Sequence, residues 1–187
     1  MKKYVILFAI IFAAGIIYAQ GFQPPSPGKA VVYFVRSNNY GFAISFQYFH
    51  QNKFIGEFKG TNYLRYECDP GKQLLWAHSE NDEFIQTELK EGGTYIIQVD
   101  PIVGKKRLRV GFTPISFNDK ERFERNKKVV LSKPPVPQKP EVIEQKNLEL
   151  SKMMEEKLQM YETQWKNEKN FRTLTIDMAI PESELKK

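Results

Sequence analysis

In 187 residues the chain has one cysteine, two histidines and two tryptophans, and each scarcity removes a class of explanation. A lone Cys68 cannot close an internal disulfide, so the fold must stand on its hydrophobic core. Set among Leu64, Tyr66 and Leu75, it is expected to be a small buried hydrophobe. His50 and His78 have no partner at metal-ligand spacing, and neither an HExxH nor a paired CxxC motif is present, so no metal or cofactor is expected. Ser45 and Ser79 lack a GxSxG context. Cys68 lies between Glu67 and Asp69, whose charges would raise a thiol's pKa and disfavour a nucleophilic thiolate. Gly92-Gly93 precedes neither a lysine nor a helix, so it reads as a strand connection and not a phosphate loop. Glu67/Asp69 and Asp82/Glu83 pair carboxylates beside turns, where solvation and turn formation already account for them. The expectation is a chain that is not an enzyme, the alternative being a hydrolase that uses the turn carboxylates with His78.

Long apolar runs are also scarce: Tyr4 to Ile17 is the one such run. It follows the basic start Met1-Lys2-Lys3 and leads to the small residue Ala19, the layout of a signal peptide cleaved after Ala19. A bilayer core needs about 20 apolar residues, and Gln20, Gln23 and the Pro24-Pro25-Ser26-Pro27 cluster stop the run short. The expected location is therefore exported, periplasmic or associated with the cell envelope. Membrane contact is expected only through an uncleaved N-terminus.

What the chain has in quantity is short β-type runs. Gly28 to Arg36 is β-branched and aromatic throughout, as in a central strand buried on both faces. Phe42, Ile44, Phe46 and Tyr48 recur at period two, and further runs cover Lys53 to Phe58, Asn62 to Cys68, Gln73 to His78, Phe84 to Leu89, Thr94 to Val99 and Leu108 to Pro114. The centre is Asn62 to His78, two strands around Asp69-Pro70-Gly71-Lys72. Pro70 and Gly71 suit a type II turn, whose twist fits a wide connection between strands of a sandwich better than a tight hairpin. Strands at spacings of roughly ten residues with no helical period between them predict a mainly β fold, an antiparallel β-sandwich of about 7–8 strands.

Gly28-Lys-Ala-Val-Val-Tyr33-Phe-Val-Arg36, Phe54-Ile-Gly56, Gly60-Thr-Asn-Tyr63, Pro70-Gly71-Lys72 and Gly93-Thr-Tyr95 together resemble the bacterial envelope proteins grouped as domain of unknown function 2846. The resemblance spans Gly28 to Val130. It implies a secreted β domain and assigns no activity.

Beyond the strands, Asn118 or Asp119 is placed to cap a short helix over Ser116 to Lys128 that would close one end of the sheet. Lys133 to Pro140 reads as a polyproline-type spacer of roughly 25 Å. From Glu141 to Asn170 the period is helical, with Ile143, Leu150, Met154, Leu158, Tyr161 and Trp165 on one stripe of an appended amphipathic α-helix. Leu174, Ile176, Met178 and Ile180 alternate like a further strand. The expected organisation is a signal peptide over 1–19, a sandwich domain over 20–131, a Pro-rich linker over 132–140, the helix over 141–170, and a strand-like segment with a polar tail over 171–187.

Two surfaces are expected to make contacts. Tyr63 and Trp76 fall on the opposite alternation from Leu64 and Leu75, and would form an exposed aromatic patch for a ligand or for the stripe of Met154, Leu158, Tyr161 and Trp165. That stripe would dock on the sandwich, on a second copy or on an envelope protein. The formal net charge is +6, and Lys105 to Lys128 carries all of that excess. Lys105, Lys106, Arg107, Arg109, Arg122 and Arg125 are the candidates for contact with an anionic polymer, nucleic acid being excluded by the expected compartment. The function read from the sequence is a noncatalytic secreted or periplasmic module that acts through contact with protein or envelope polymer.

Overall fold

Ala30–Arg36 is buried along its whole length, which a strand achieves only when both of its faces are covered. A computed structural model, describing residues 20–106 and 108–185, shows what covers them. The expected leader and its cleavage point lie outside the described residues. Among the described residues nine strands form two sheets packed face to face. In chain order they are β1 (Ala30–Arg36), β2 (Ser45–His50), β3 (Lys53–Lys59), β4 (Asn62–Cys68), β5 (Gly71–His78), β6 (Asp82–Leu89), β7 (Thr94–Val103), β8 (Leu108–Ile115) and β9 (Arg172–Leu174). The first sheet has the order β4-β1-β7-β8 and the second β3-β2-β5-β6-β9. Between them lies a core that includes Val32, Phe34, Phe46, Tyr48, Leu75 and Phe112.

The mainly β sandwich with an appended helix is as the sequence predicts, but the sheets are mixed, not wholly antiparallel. β1 runs parallel to β7, and β6 parallel to β9. Both parallel partners are distant in sequence. The chain passes through the other strands before returning, so no short crossover is required. The turn at Asp69-Pro70 carries the chain from β4 in one sheet to β5 in the other, with Gly71 at φ +93°.

Both outer faces are covered by helices, giving four layers. Helix α1 (Lys120–Ser132) starts at Asp119, whose side chain accepts the Arg122 amide. Its Phe123, Val129 and Val130 pack on Val31, Tyr33 and Tyr63, the outward side chains of the first sheet. It therefore lies over a sheet face and does not close an end, because the outward positions of β1, Val31, Tyr33 and Val35, are as apolar as its inward ones. Helix α2 (Pro140–Met160), continued by a π turn at Tyr161–Trp165, covers the second sheet.

The Pro-rich segment between the helices is a strap across the sandwich edge. The Val136 amide donates to the Tyr63 carbonyl at 2.9 Å. The Gln138 side-chain amide bonds both the N–H and the C=O of Glu57, and Asn147 does the same for Phe54. These side chains occupy free backbone groups of the edge strand β3, which would otherwise offer a template for another strand. The expected strand over 174–180 is reduced to β9, followed by a single 3-10 turn at Ile176–Met178. Ile180 then turns inward under the first sheet's outer cluster. Period-two alternation cannot distinguish this path from a strand.

Candidate functional site

The aromatic patch is not exposed. Trp76 and Tyr63 are both 0% accessible, and they lie on opposite sides of the molecule. Each faces outward from its own sheet, as the alternation predicts, but they belong to different sheets. Tyr63 packs beside Tyr33 under α1 and the strap, its hydroxyl donating to the Lys133 carbonyl at 3.0 Å. Trp76 stacks between Phe49 at 4.0 Å and Phe84 at 5.3 Å, and Phe84 stacks on Tyr161 of the C-terminal helix at 4.6 Å. Gln86 Nε2 donates to the Tyr161 hydroxyl at 2.7 Å. Trp165 and Phe171 also contact Phe84. Tyr161 and Trp165, four residues apart on one face of the helix, both reach the same ring. With Met154 buried and Leu158 partly buried in this cluster, the helical stripe is occupied within the chain.

The basic residues divide in the same way. Arg122 and Arg125 lie on α1, paired with Asp119 and Glu121. Lys105 and Lys106 lie in the β7–β8 connection, and Arg109 follows on β8. Arg107 lies outside the described residues. The first group lies on the helix over the outer face of the first sheet and the second at the β7–β8 turn.

The carboxylates also separate. Glu67 lies near the end of β4 and Asp69 in the connection before β5, whereas His78 ends β5, a strand of eight residues that spans roughly 23 Å. Glu67 accepts from Arg65 and the Ser26 amide, while Asp69 pairs with Lys29. His78 Nδ1 lies 2.7 Å from Asp82 Oδ1, and Lys157 Nζ lies 2.8 Å from Oδ2. Burial alone would raise the Asp82 carboxyl, but its hydrogen bonds to His78 and Lys157 outweigh that and hold it below the ordinary value. Asp82 thus ties β6 to α2. His50 is engaged by the Tyr66 hydroxyl and Gln73. Cys68 is buried, and burial first, then the charge of Asp69, pushes its thiol to about 11. Among the described residues no three of His, Cys, Asp or Glu gather to hold a metal ion, and no helix is long and apolar enough to cross a membrane.

The surface that stands out is one end of the sandwich, where the β1–β2, β3–β4, β5–β6 and β7–β8 connections meet. Among the described residues nine large apolar side chains are exposed, and Tyr40, Phe42, Ile44, Ile102 and Val103 are at this end. Val103 is 72% exposed, Phe42 63% and Tyr40 55%. The sequence reading placed Phe42 and Ile44 in a strand. The strand begins only at Ser45, and residues 40–43 turn outward.

Arg36 sets that turn. Its guanidinium is fully buried, with no carboxylate partner among the described residues, and it donates to the carbonyls of Tyr40, of Gly41 at 2.7 Å and of Ile44 at 2.9 Å. Desolvation lowers its pKa. Gly41 adopts φ +62°, and a β-carbon there would fall 1.9 Å from Leu108 Cδ1, so the β1–β2 loop is seated directly on the β7–β8 hairpin. The hairpin is tied down in turn. Glu80 accepts the Lys105 and Lys106 amides, and Asn81 bonds both backbone groups of Val110. Sequence reasoning missed this cluster because period-two spacing continued through Phe42. The signal available was Asn38-Asn39-Tyr40-Gly41, turn chemistry running directly into large apolar residues. No family model, curated protein or solved structure matches the chain.

Proposed function

We propose that this chain is a noncatalytic, exported module of the cell envelope that works by contact, and that the loop end of the sandwich is its contact surface. The observation that carries the reading is the uneven use of apolar surface. Both sheet faces are consumed by the chain's own helices and the β3 edge is capped by Gln138 and Asn147. Exposed apolar side chains concentrate instead on loops held by Arg36, Glu80 and Asn81. Concentrated apolar exposure on an otherwise covered monomer marks an interaction site. The remaining exposed ones, such as Val142 and Leu148, stand apart along α2. Export is supported by the basic start, apolar run and small residue that end at Ala19, and the resemblance to the domain of unknown function 2846 agrees with it.

The test is site-specific photo-crosslinking in cells, with the photoreactive group at Phe42 in one strain and at the still more exposed Leu148 in another. Adducts from position 42 in the envelope fraction and none from 148 are the expected result. Equal adducts from both positions, or retention of the chain in the cytosol, would overturn the reading.

A further inference from the structure

The geometry points to the interfacial zone of an anionic phospholipid bilayer as what the loop end contacts. This rests on the reading of that end as the contact surface, and it names the partner's chemistry. Three features of the site favour a lipid surface over a protein groove or a soluble polymer.

Shape is the first. The apolar side chains project from loop tips and are not gathered in a cleft. β7 last pairs with β1 at Gln98, and Val103 lies five residues further on, roughly 16 Å along the strand direction. Such a projection presents side chains outward to a broad surface. An interfacial segment buries its apolar side chains roughly 5–10 Å into the boundary between headgroups and acyl chains, a depth this hairpin can reach without moving the sandwich.

Charge is the second. Exposed Lys59, Lys105, Lys106 and Arg109 stand among the apolar side chains, Lys105 and Lys106 in the turn just beyond Val103. Lys59 ends β3 opposite Ser45, and Arg109 pairs across the hairpin with Ile102. Of the acidic side chains at this end, Glu80 turns its carboxylate to the Lys105 and Lys106 amides, Asp82 is paired with His78 and Lys157, and Glu83 lies within reach of the charge of Arg109. Apolar and aromatic groups interspersed with long cationic side chains suit an anionic bilayer interface, where the apolar groups enter the acyl boundary and the lysines reach the phosphates.

Order is the third. Arg36 holds three carbonyls of the β1–β2 loop and Asn81 clamps the hairpin. The tip is therefore formed before it binds, and little conformational freedom is lost on contact.

The experiment reads insertion at the tip, so the apolar run at the N-terminus cannot produce the signal. In the full chain, Val103→Cys is labelled with an environment-sensitive fluorophore, and Leu148→Cys carries the same label as a reference. Wild type checks that buried Cys68 stays unlabelled. Vesicles are phosphatidylcholine alone or a mixture with phosphatidylglycerol, with and without brominated acyl chains. Expected are a blue shift and bromine quenching at position 103 on the anionic vesicles, with neither at 148. Lys105→Ala with Lys106→Ala should weaken that signal by about 30-fold, since each cation near an anionic surface contributes about fivefold. Phe42→Ser should weaken it with an unchanged thermal transition. No change at 103 on anionic vesicles overturns the membrane assignment. If photo-crosslinking at Phe42 then still yields protein adducts, the partner is an acidic protein surface and the contact reading stands. If neither signal appears, both readings fall.

Discussion

Replacing Phe84 by alanine is the most direct test of how the C-terminal helix is held. The ring is fully buried, stacked on Trp76 from the sheet and touched by Tyr161, Trp165 and Phe171 from the other side. A buried Phe→Ala change costs about 3–5 kcal/mol, the upper end applying where neighbours cannot collapse into the space. Here they are large rings fixed by their own stacking, and Trp76 Nε1 is further anchored on the Gln51 carbonyl at 2.8 Å, so the upper end is expected. For a chain of this size each kcal/mol lowers the melting temperature by about 2–4 °C, which makes a shift of about 10–20 °C. Urea unfolding followed by tryptophan fluorescence measures the loss. Tyr161→Ala in the same and in the wild-type background completes a double-mutant cycle. A stacked aromatic pair contributes about 0.5–1.5 kcal/mol beyond area burial, so the two losses should fail to add by that amount. A loss under about 1 kcal/mol for Phe84→Ala, or strict additivity, would refute the docking of α2 through this column.

Arg36→Ala releases three loop carbonyls from a charged donor, each such bond being worth about 1.5–3 kcal/mol, part of which is returned because a buried cation without a carboxylate is no longer desolvated. Limited proteolysis should find new cleavage within residues 37–44, and an unchanged digest would contradict the clamp. Asp82 predicts an acid limb. Its folded pKa lies below the ordinary 3.8, so its stabilising contribution is complete above the unfolded value and is lost as pH falls through the folded one. Asp82→Asn should therefore lower stability at neutral pH and flatten the loss of stability below about pH 4. An unaltered acid limb in the variant would remove Asp82 from the account.

The strands were legible in the sequence where the two faces of a strand differ or where both are strongly apolar, as in Ala30–Arg36. The Asp69-Pro70-Gly71 connection was legible as well, because a positive φ at glycine after proline restricts the turn types available. What could not be read is which face of which sheet a given outward residue joins. Tyr63 and Trp76 have the same outward alternation, yet one lies under α1 and the other under α2, since the chain changes sheets between them. The parallel pairings were hidden for the same reason: alternation reports faces, and strand direction follows from the path of the whole chain. The loop end was missed because Phe42 and Ile44 keep the period of the strand they precede. Only the buried guanidinium of Arg36 shows why the chain there turns outward.

The covering of both sheets explains why the loop end is where it is. A sandwich whose outer faces were polar would need no helices, and its loops would be one option among several surfaces. Here the outward faces carry large apolar side chains, including Tyr33, Phe49, Tyr63, Trp76 and Phe84, so α1 and α2 are obligatory parts of the fold. The strap that joins them must pass the β3 edge, and it caps that edge as it passes. Faces and edge are thereby committed to folding. The ends remain, and among the described residues the end with the β1–β2 and β7–β8 connections gathers exposed aromatic and aliphatic side chains among lysines. Contact made there leaves every packing element of the sandwich in place, so a variant such as Phe42→Ser should change binding while the urea midpoint stays within error of wild type. A fall in that midpoint comparable to that of Phe84→Ala would mean that Phe42 serves the fold.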